Sequence, residues 1–225
     1  MKKYYEKLIG VSSLTPANQK LKNGYTTYDW VMRQHTFPAF WGRGLSTLTP
    51  EEVDFLKKKQ CKIFLLVDGL TELAVSRCNG VEDALKTVET AKVLGVPQNQ
   101  NITLFVKIES DWSVNHNWMI SFAQTLSANG YTPGFIGNTD SSKNFVFDRQ
   151  CSHFVNATAE ANQFGAIYGA TEPKREGAPE EWNPYCPSAL KPEHIGLWFC
   201  GTTSFDELVM DDVYARDQNV LAIMW

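Results

Sequence analysis

Residues 61–108 begin with CKIFLLV (61–67), continue with GVEDALKTVETAKVL (80–94) and end with ITLFVKI (102–108). Both outer segments are short continuous apolar runs, as in parallel strands that are buried on both faces. The middle segment repeats its apolar residues at helical spacing, and Gly95 and Pro97 end it. A strand, a helix and a second strand in this order predict a parallel β–α–β unit.

The same alternation of strands and helices extends over the whole chain. Strands are predicted at 24–30, 38–45, 61–67, 102–108, 132–138, 164–169, 195–200 and 220–225. Helices are predicted at 50–59, 80–94, 112–129 and 146–161. Because the chain carries no doubly wound glycine fingerprint, eight such strands predict an α/β fold, a (β/α)8 TIM-type barrel forming a single domain over residues 1–225. A flavodoxin-like or other open sheet is the alternative.

Composition excludes several classes of partner. The chain has 225 residues, 43% of them hydrophobic and 20% charged, as in ordinary globular proteins. A net charge of -4 argues against nucleic acid as a partner, since a phosphate-backbone binder carries a basic face. No apolar run approaches the ~18 residues that cross a bilayer, so no membrane partner is expected.

Cysteine usage and the first residues bear on cofactors and compartment. Five scattered cysteines without a Cys-x-x-Cys motif predict mostly buried free thiols, and no disulfide framework or zinc site. Neither a metal nor another cofactor is expected. The start, MKKYYEKLIG, lacks the apolar core of a signal peptide, so we expect a protein that is cytoplasmic as synthesised, with export by another route left open.

The fourth predicted strand carries the most informative polar residues. Side chains alternate faces along a strand, so Lys107, Glu109 and Asp111 share one face, while Val106 and Ile108 share the other. The aliphatic face suits the surrounding helices, and the charged face then points into the mouth of the barrel, where the active sites of this fold lie. Because a charge there is costly unless it is paired, Lys107 and Glu109 could neutralise each other.

Two carboxylates across a sugar-sized cleft are what glycoside hydrolysis requires. One protonates the leaving oxygen, and the other attacks, activates water or stabilises positive charge. We predict Glu109 and Asp29, at the ends of the fourth and first strands, as this catalytic pair. The alternative is that Glu109 is a paired structural carboxylate and that Asp29 caps a turn.

Further candidates for substrate binding lie near other strand ends. Asp68 and Asn138 join Lys107 and Asp111 as polar candidates. Of the seven tryptophans, Trp30, Trp112 and Trp198 lie where they could stack on sugar rings, with core packing as the alternative.

Four stretches, in order, resemble a known barrel family. They are LTPEE (48–52), GVEDA through LGVP (80–97), ITLFVKIESD (102–111) and GYTPGFIG (130–137). The order is similar to that of the glycoside-hydrolase-like family named domain of unknown function 1906, which resembles the lysozyme-like family 25 glycoside hydrolases in fold. The resemblance covers roughly residues 24–140.

The resemblance implies a barrel with an acidic cleft for cell-wall, peptidoglycan-like polysaccharide, in which Asp29 and Glu109 match the family's acids. Lys107 stands where the family usually has Asp, which removes one carboxylate. Three functions therefore stay open: a glycosidase, an inactive barrel that binds saccharide or serves as an interaction module, and a different hydrolase with Lys107 as nucleophile. The first two predict a polysaccharide or a small saccharide as ligand.

Overall fold

The computed structural model describes residues 8–34, 37–139, 145–158, 164–172, 180–205 and 208–225. Within these ranges eight strands form a closed barrel in chain order, which confirms the predicted TIM-type α/β fold. The strands are β1 (Leu8–Ser13), β2 (Phe40–Gly44), β3 (Lys62–Val67), β4 (Thr103–Lys107), β5 (Thr132–Gly137), β6 (Ile167–Glu172), β7 (Ile195–Phe205) and β8 (Leu208–Ala215). The helices are α1 (Thr27–Gln34), α2 (Pro50–Lys58), α3 (Glu72–Val75), α4 (Val81–Leu94), α5 (His116–Ala128), α6 (Val146–Thr158) and α7 (Gln218–Ala222), with a 3₁₀ turn at Pro192–His194.

One strand departs from an all-parallel barrel. β1 to β7 pair in parallel, whereas β8 runs antiparallel to both of its neighbours. β7 ends at Phe205 and β8 begins at Leu208. So short a connection can join only antiparallel strands, because a parallel crossover needs about a dozen residues or more. The first half of β8 therefore lies at the end of the barrel where the parallel strands finish.

The first strand predicted at 24–30 is wrong. The barrel begins with β1, and most of the predicted strand lies in and before helix α1. Tyr28 and Val31 lie three residues apart on one buried face of that helix. The prediction of a strand followed from the aromatic residues of GYTTYDW, which are common in strands. Asp29 is consequently a helix residue rather than a residue at a strand end.

The last strand predicted at 220–225 is also wrong. Asp217 caps helix α7, its carboxylate accepting the backbone N–H groups of Asn219 at 3.0 Å and Val220 at 3.2 Å. The apolar residues that follow are largely buried, and a short apolar run without visible periodicity does not distinguish a helix from a strand. The closing strand is β8, which the sequence analysis did not place.

Aromatic side chains fill the interior of the barrel. The rings of Phe64 and Phe105 lie 4.7 Å apart, and that of Phe199 lies 6.0 Å from Phe64. The C-terminal segment closes the amino-terminal ends of the strands, because the carbonyl of Trp225 accepts the N–H of Ile63 at the start of β3. Polar side chains at the opposite end therefore stand above a packed apolar floor.

Two predictions from composition concern the thiols and the helices. All five cysteines are free, and Cys61, Cys151 and Cys200 are buried, which confirms the predicted free and mostly buried thiols. Among the residues that the structure describes, no helix is both long enough and apolar enough to cross a membrane.

Candidate active site

A cavity of about 530 Å³ opens at the carboxyl ends of the early parallel strands, beside the first half of β8. Ligand sites for small molecules have volumes of ~300–1,000 Å³, so this cavity is large enough for one. Its polar lining includes Ser12, Asp68, Lys107, Glu109 and Asp211. Its apolar lining includes Leu14, Leu66, Leu70, Trp112 and Val209. This is the candidate active site.

An ion pair links two strands that are not neighbours in the barrel. Lys107 at the end of β4 places its Nζ 2.8 Å from Asp211 Oδ2 on β8, and each side chain is more than two-thirds buried. The same Nζ lies 5.2 Å from the centre of the Phe199 ring, a cation–π contact that further holds the ammonium group. The expected partner, Glu109, is not the carboxylate that Lys107 contacts.

Glu109 lies two residues beyond the end of β4 and lines the cavity with an exposed side chain. Its backbone carbonyl accepts the N–H of Trp112 at 3.1 Å, a turn that brings both side chains to the cavity. Among the described residues, no side chain or backbone group is hydrogen-bonded or ion-paired to the Glu109 carboxylate. This carboxylate is therefore available to a ligand.

Asp68 directly follows β3, and Ser46 binds its carboxylate. Its two oxygens accept the backbone N–H of Ser46 at 2.9 Å and the hydroxyl of Ser46 at 2.8 Å. Gly44 permits this close approach, because a Cβ there would collide with the Asp68 carboxylate. Asp68 is thus an oriented carboxylate in the same cavity as Glu109.

Three solved structures share this architecture. An uncharacterized B. stearothermophilus protein matches with a TM-score of 0.78 and 24% identity, over 97% of this chain and 100% of that chain. A Tat-secreted protein of Mycobacterium tuberculosis, solved with HEPES, matches with a TM-score of 0.57 and 11% identity, over 92% of this chain and 94% of that one. A bacterial lysozyme from Streptomyces coelicolor matches with a TM-score of 0.55 and 8% identity, over 97% of each chain.

The barrel resembles that of a bacterial lysozyme. At these identities the likeness shows the fold alone, and one barrel fold supports many chemistries. No family model matches the sequence, and no curated protein matches it. The chemistry of the cavity therefore depends on its own residues.

Asp29 lies outside the cavity, on the helical layer. Its carboxylate accepts the hydroxyl of Thr26 at 2.7 Å and lies 2.9 Å from Lys59 Nζ, at the end of α2. The Thr26 hydroxyl and then the Lys59 ammonium group lower the pKa of Asp29 below its ordinary value of 3.8. The structure does not bring Asp29 and Glu109 together around one cavity.

Only some of the remaining predicted binding residues line the cavity. Trp112 lines the cavity and is half-buried, whereas Trp30 and Trp198 are buried, at 5% and 0% exposure, and present no ring face there. Asn138 is buried just after β5, and Asp111 is exposed; neither is among the residues that line the cavity.

Sequence reasoning missed Asp211, Ser12, Leu14 and Val209, all of which line the cavity. Each of them belongs to, or directly follows, a strand that was placed elsewhere: β1 or β8. The sequence LVMDDVYA carries no alternation of apolar and polar residues, so Val209, Asp211 and Val213 share a face only once the strand itself is known.

Proposed function

We propose that the protein is a glycoside hydrolase that cleaves cell-wall polysaccharide in this cavity, and that it belongs to the glycoside-hydrolase-like family that its sequence resembles. One observation carries the proposal: Lys107 is bound to Asp211, and no residue in the described part of the chain pairs with the Glu109 carboxyl group, which lies in the same cavity as Asp68. The likeness in fold to a bacterial lysozyme is consistent with it.

We assign different roles to Glu109 and Asp68. Glu109 acts as the general acid and donates a proton to the glycosidic oxygen as the bond to the sugar carbon breaks. Asp68, oriented by Ser46, serves as the second carboxylate, which stabilises the positive charge or directs water to that carbon. Asp68 takes this role rather than Asp29 because only Asp68 lines the cavity.

The Lys107–Asp211 contact argues against a hydrolase that uses Lys107 as nucleophile. A nucleophilic lysine presents a free electron pair to its substrate, and an ammonium group bound to a carboxylate has none. We assign this pair to the lining of the substrate site, where it contributes polar contacts without adding net charge.

A saccharide-binding barrel without hydrolysis is the second candidate, and the exposure of Glu109 favours it. Catalytic acids are usually enclosed by apolar groups, as in lysozyme, whereas the Glu109 side chain is exposed. The half-buried ring of Trp112 beside it offers a face on which a sugar can stack.

Reducing-end release from purified peptidoglycan distinguishes the two functions. The hydrolase requires turnover by the wild type and a loss of at least about 100-fold in Glu109→Gln, with Glu89→Gln on the outer face of α4 as the matched control. A loss in Asp68→Asn supports Asp68 as the second carboxylate, whereas a loss confined to Asp29→Asn would assign that role to Asp29. Sedimentation with insoluble cell wall without any release would favour the binding module, and neither release nor sedimentation would contradict both candidates.

A further inference from the structure

A buried ion pair lies directly outside the barrel wall, between β2 and α2. Arg43 and Glu52 have side chains that are 1% and 0% exposed, and Arg43 Nε lies 3.0 Å from Glu52 Oε1. Neither side chain lines the cavity. Burying two charges is costly, and apolar residues of similar volume often stabilise a fold as well or better, so stability alone does not explain this pair.

The pair holds the segment that leaves β1 at three backbone positions. The Arg43 guanidinium donates from Nη1 to the carbonyl of Ser13 at 2.8 Å and to the carbonyl of Leu14. Glu52 Oε1 accepts the N–H of Ala17 at 2.7 Å. Two buried charged side chains therefore fix the path of residues 13–17, of which Ser13 and Leu14 line the cavity.

These hydrogen bonds hold the backbone of Leu14, whose side chain lies at the cavity. Its side chain is 93% exposed and nevertheless lines the cavity, so burial of the side chain contributes almost nothing to its position. Val209, on β8, is 62% exposed and lines the same cavity. Exposed apolar side chains that share one cavity are typical of a binding surface, whereas single exposed apolar residues are common on any protein surface.

We propose that Leu14 and Val209 form an apolar edge that contacts the bound saccharide, and that Arg43 and Glu52 are positioning residues that hold Leu14 in place. The inference rests on the proposed function, because it takes the cavity to be a saccharide site. Leu14 gains its apolar contact only when substrate covers it, so its position has to be supplied by the backbone. Arg43 supplies that position through the Ser13 and Leu14 carbonyls.

Kinetics on soluble peptidoglycan fragments test the apolar edge. Leu14→Ala should raise KM about ten-fold with kcat nearly unchanged, because the lost contact is made equally in the bound ground state and in the transition state. Val209→Ala should act in the same direction. Leu85→Ala is the matched control, since Leu85 is an exposed leucine on α4, away from the cavity. An unchanged KM in both edge variants overturns the proposal.

The double variant Arg43→Met/Glu52→Leu tests positioning separately. It should fold, lose amide hydrogen-exchange protection at Thr15 and Ala17, whose N–H groups bond to Ser13 Oγ and Glu52 Oε1, and raise KM as Leu14→Ala does. Adding Leu14→Ala to it should raise KM little further, because all three changes remove one contact. A double variant that does not fold, or one that keeps wild-type KM and protection, overturns the positioning role.

Failure of the proposed function is distinguishable from failure of this inference. If the wild type binds fragments without cleaving them, the dissociation constant replaces KM in the same comparison. If it neither binds nor cleaves, the proposed function and the apolar edge both fail, whereas the hydrogen-exchange comparison still decides whether Arg43 and Glu52 position residues 14–17.

Discussion

Lys107 Nζ lies 2.8 Å from Asp211 Oδ2, so the side chains of β4 and β8 meet within the cavity although the two strands are not neighbours in the barrel. The contact pairs the residue that departs from the resembled family with a carboxylate from the closing strand. It leaves Glu109 and Asp68 as the carboxylates that face the cavity without a cationic partner among the described residues.

The Lys107–Asp211 pair should show energetic coupling. Lys107→Met and Asp211→Asn should each lower the free energy of unfolding by about 1 kcal/mol, since the pair is only partly exposed. The double variant should lose less than the sum, because the second change removes a charge that the first left unpaired. Urea denaturation of the four proteins measures the coupling. Strictly additive losses would show that the two groups do not interact in solution.

Orientation of Asp68 should matter for turnover. Ser46→Ala removes the hydroxyl that Asp68 accepts and leaves the backbone N–H in place. We expect kcat to fall by about ten-fold, the equivalent of one hydrogen bond to a charged group. Ser76→Ala, at the end of α3, is the matched control. Equal kcat values for Ser46→Ala and wild type would mean that the backbone N–H alone is sufficient.

Asp29 should contribute to stability in a pH-dependent way. The folded state lowers its pKa below the ordinary value of 3.8, so it stabilises the fold above that value and loses this effect as the pH falls through the folded-state pKa. Asp29→Asn should therefore be less stable than wild type at pH 7, by about 0.5 kcal/mol because each partner of the pair with Lys59 is more than a third exposed, and the difference should disappear once the pH has fallen below the folded-state pKa.

Thermal unfolding of both proteins between pH 2 and pH 7 measures this difference. Thr26→Val removes the hydroxyl group that donates to the Asp29 carboxylate and contributes most to lowering its pKa, and it should reproduce part of the loss. A stability difference that persists unchanged at the lowest pH would contradict an origin in the Asp29 charge.

Gly134 should not tolerate a side chain. A Cβ at this position on β5 would collide with the Phe105 ring, which packs against Phe64 in the barrel interior. Gly134→Ala should therefore destabilise the protein by about 1–3 kcal/mol through overpacking. Gly165→Ala is unsuitable as a control because of its positive φ, whereas Ala128→Gly, at the exposed end of α5, costs only helix propensity. Chemical denaturation that ranks Gly134→Ala with Ala128→Gly would refute the steric argument.

The middle of the barrel could be predicted from sequence because its segments are long and strongly patterned. β3, α4 and β4 follow from two apolar runs and one amphipathic helix ended by Gly95 and Pro97. Alternation along β4 also predicted that Lys107 and Glu109 share a face, and both line the cavity. These inferences need only local periodicity.

The partner of Lys107 could not be predicted in this way. Its contact with Asp211 spans 104 positions in the sequence and depends on which strand closes the barrel. With the closing strand predicted at 220–225, Asp211 has no place in the predicted site. The first and last strands are both predicted at the wrong segments. The predicted site therefore lacks Ser12 as well as Asp211, which lie opposite each other on the neighbouring strands β1 and β8.

The antiparallel pairing of β8 with β1 places Ser12 opposite Asp211. A slip of two residues keeps each side chain on its own face of a sheet. Such a slip would bring Val209 or Val213 opposite Ser12 without exposing the apolar side of β8, and it would take the carboxylate away from Lys107. The charge of the cavity is therefore encoded in the register of one strand pair.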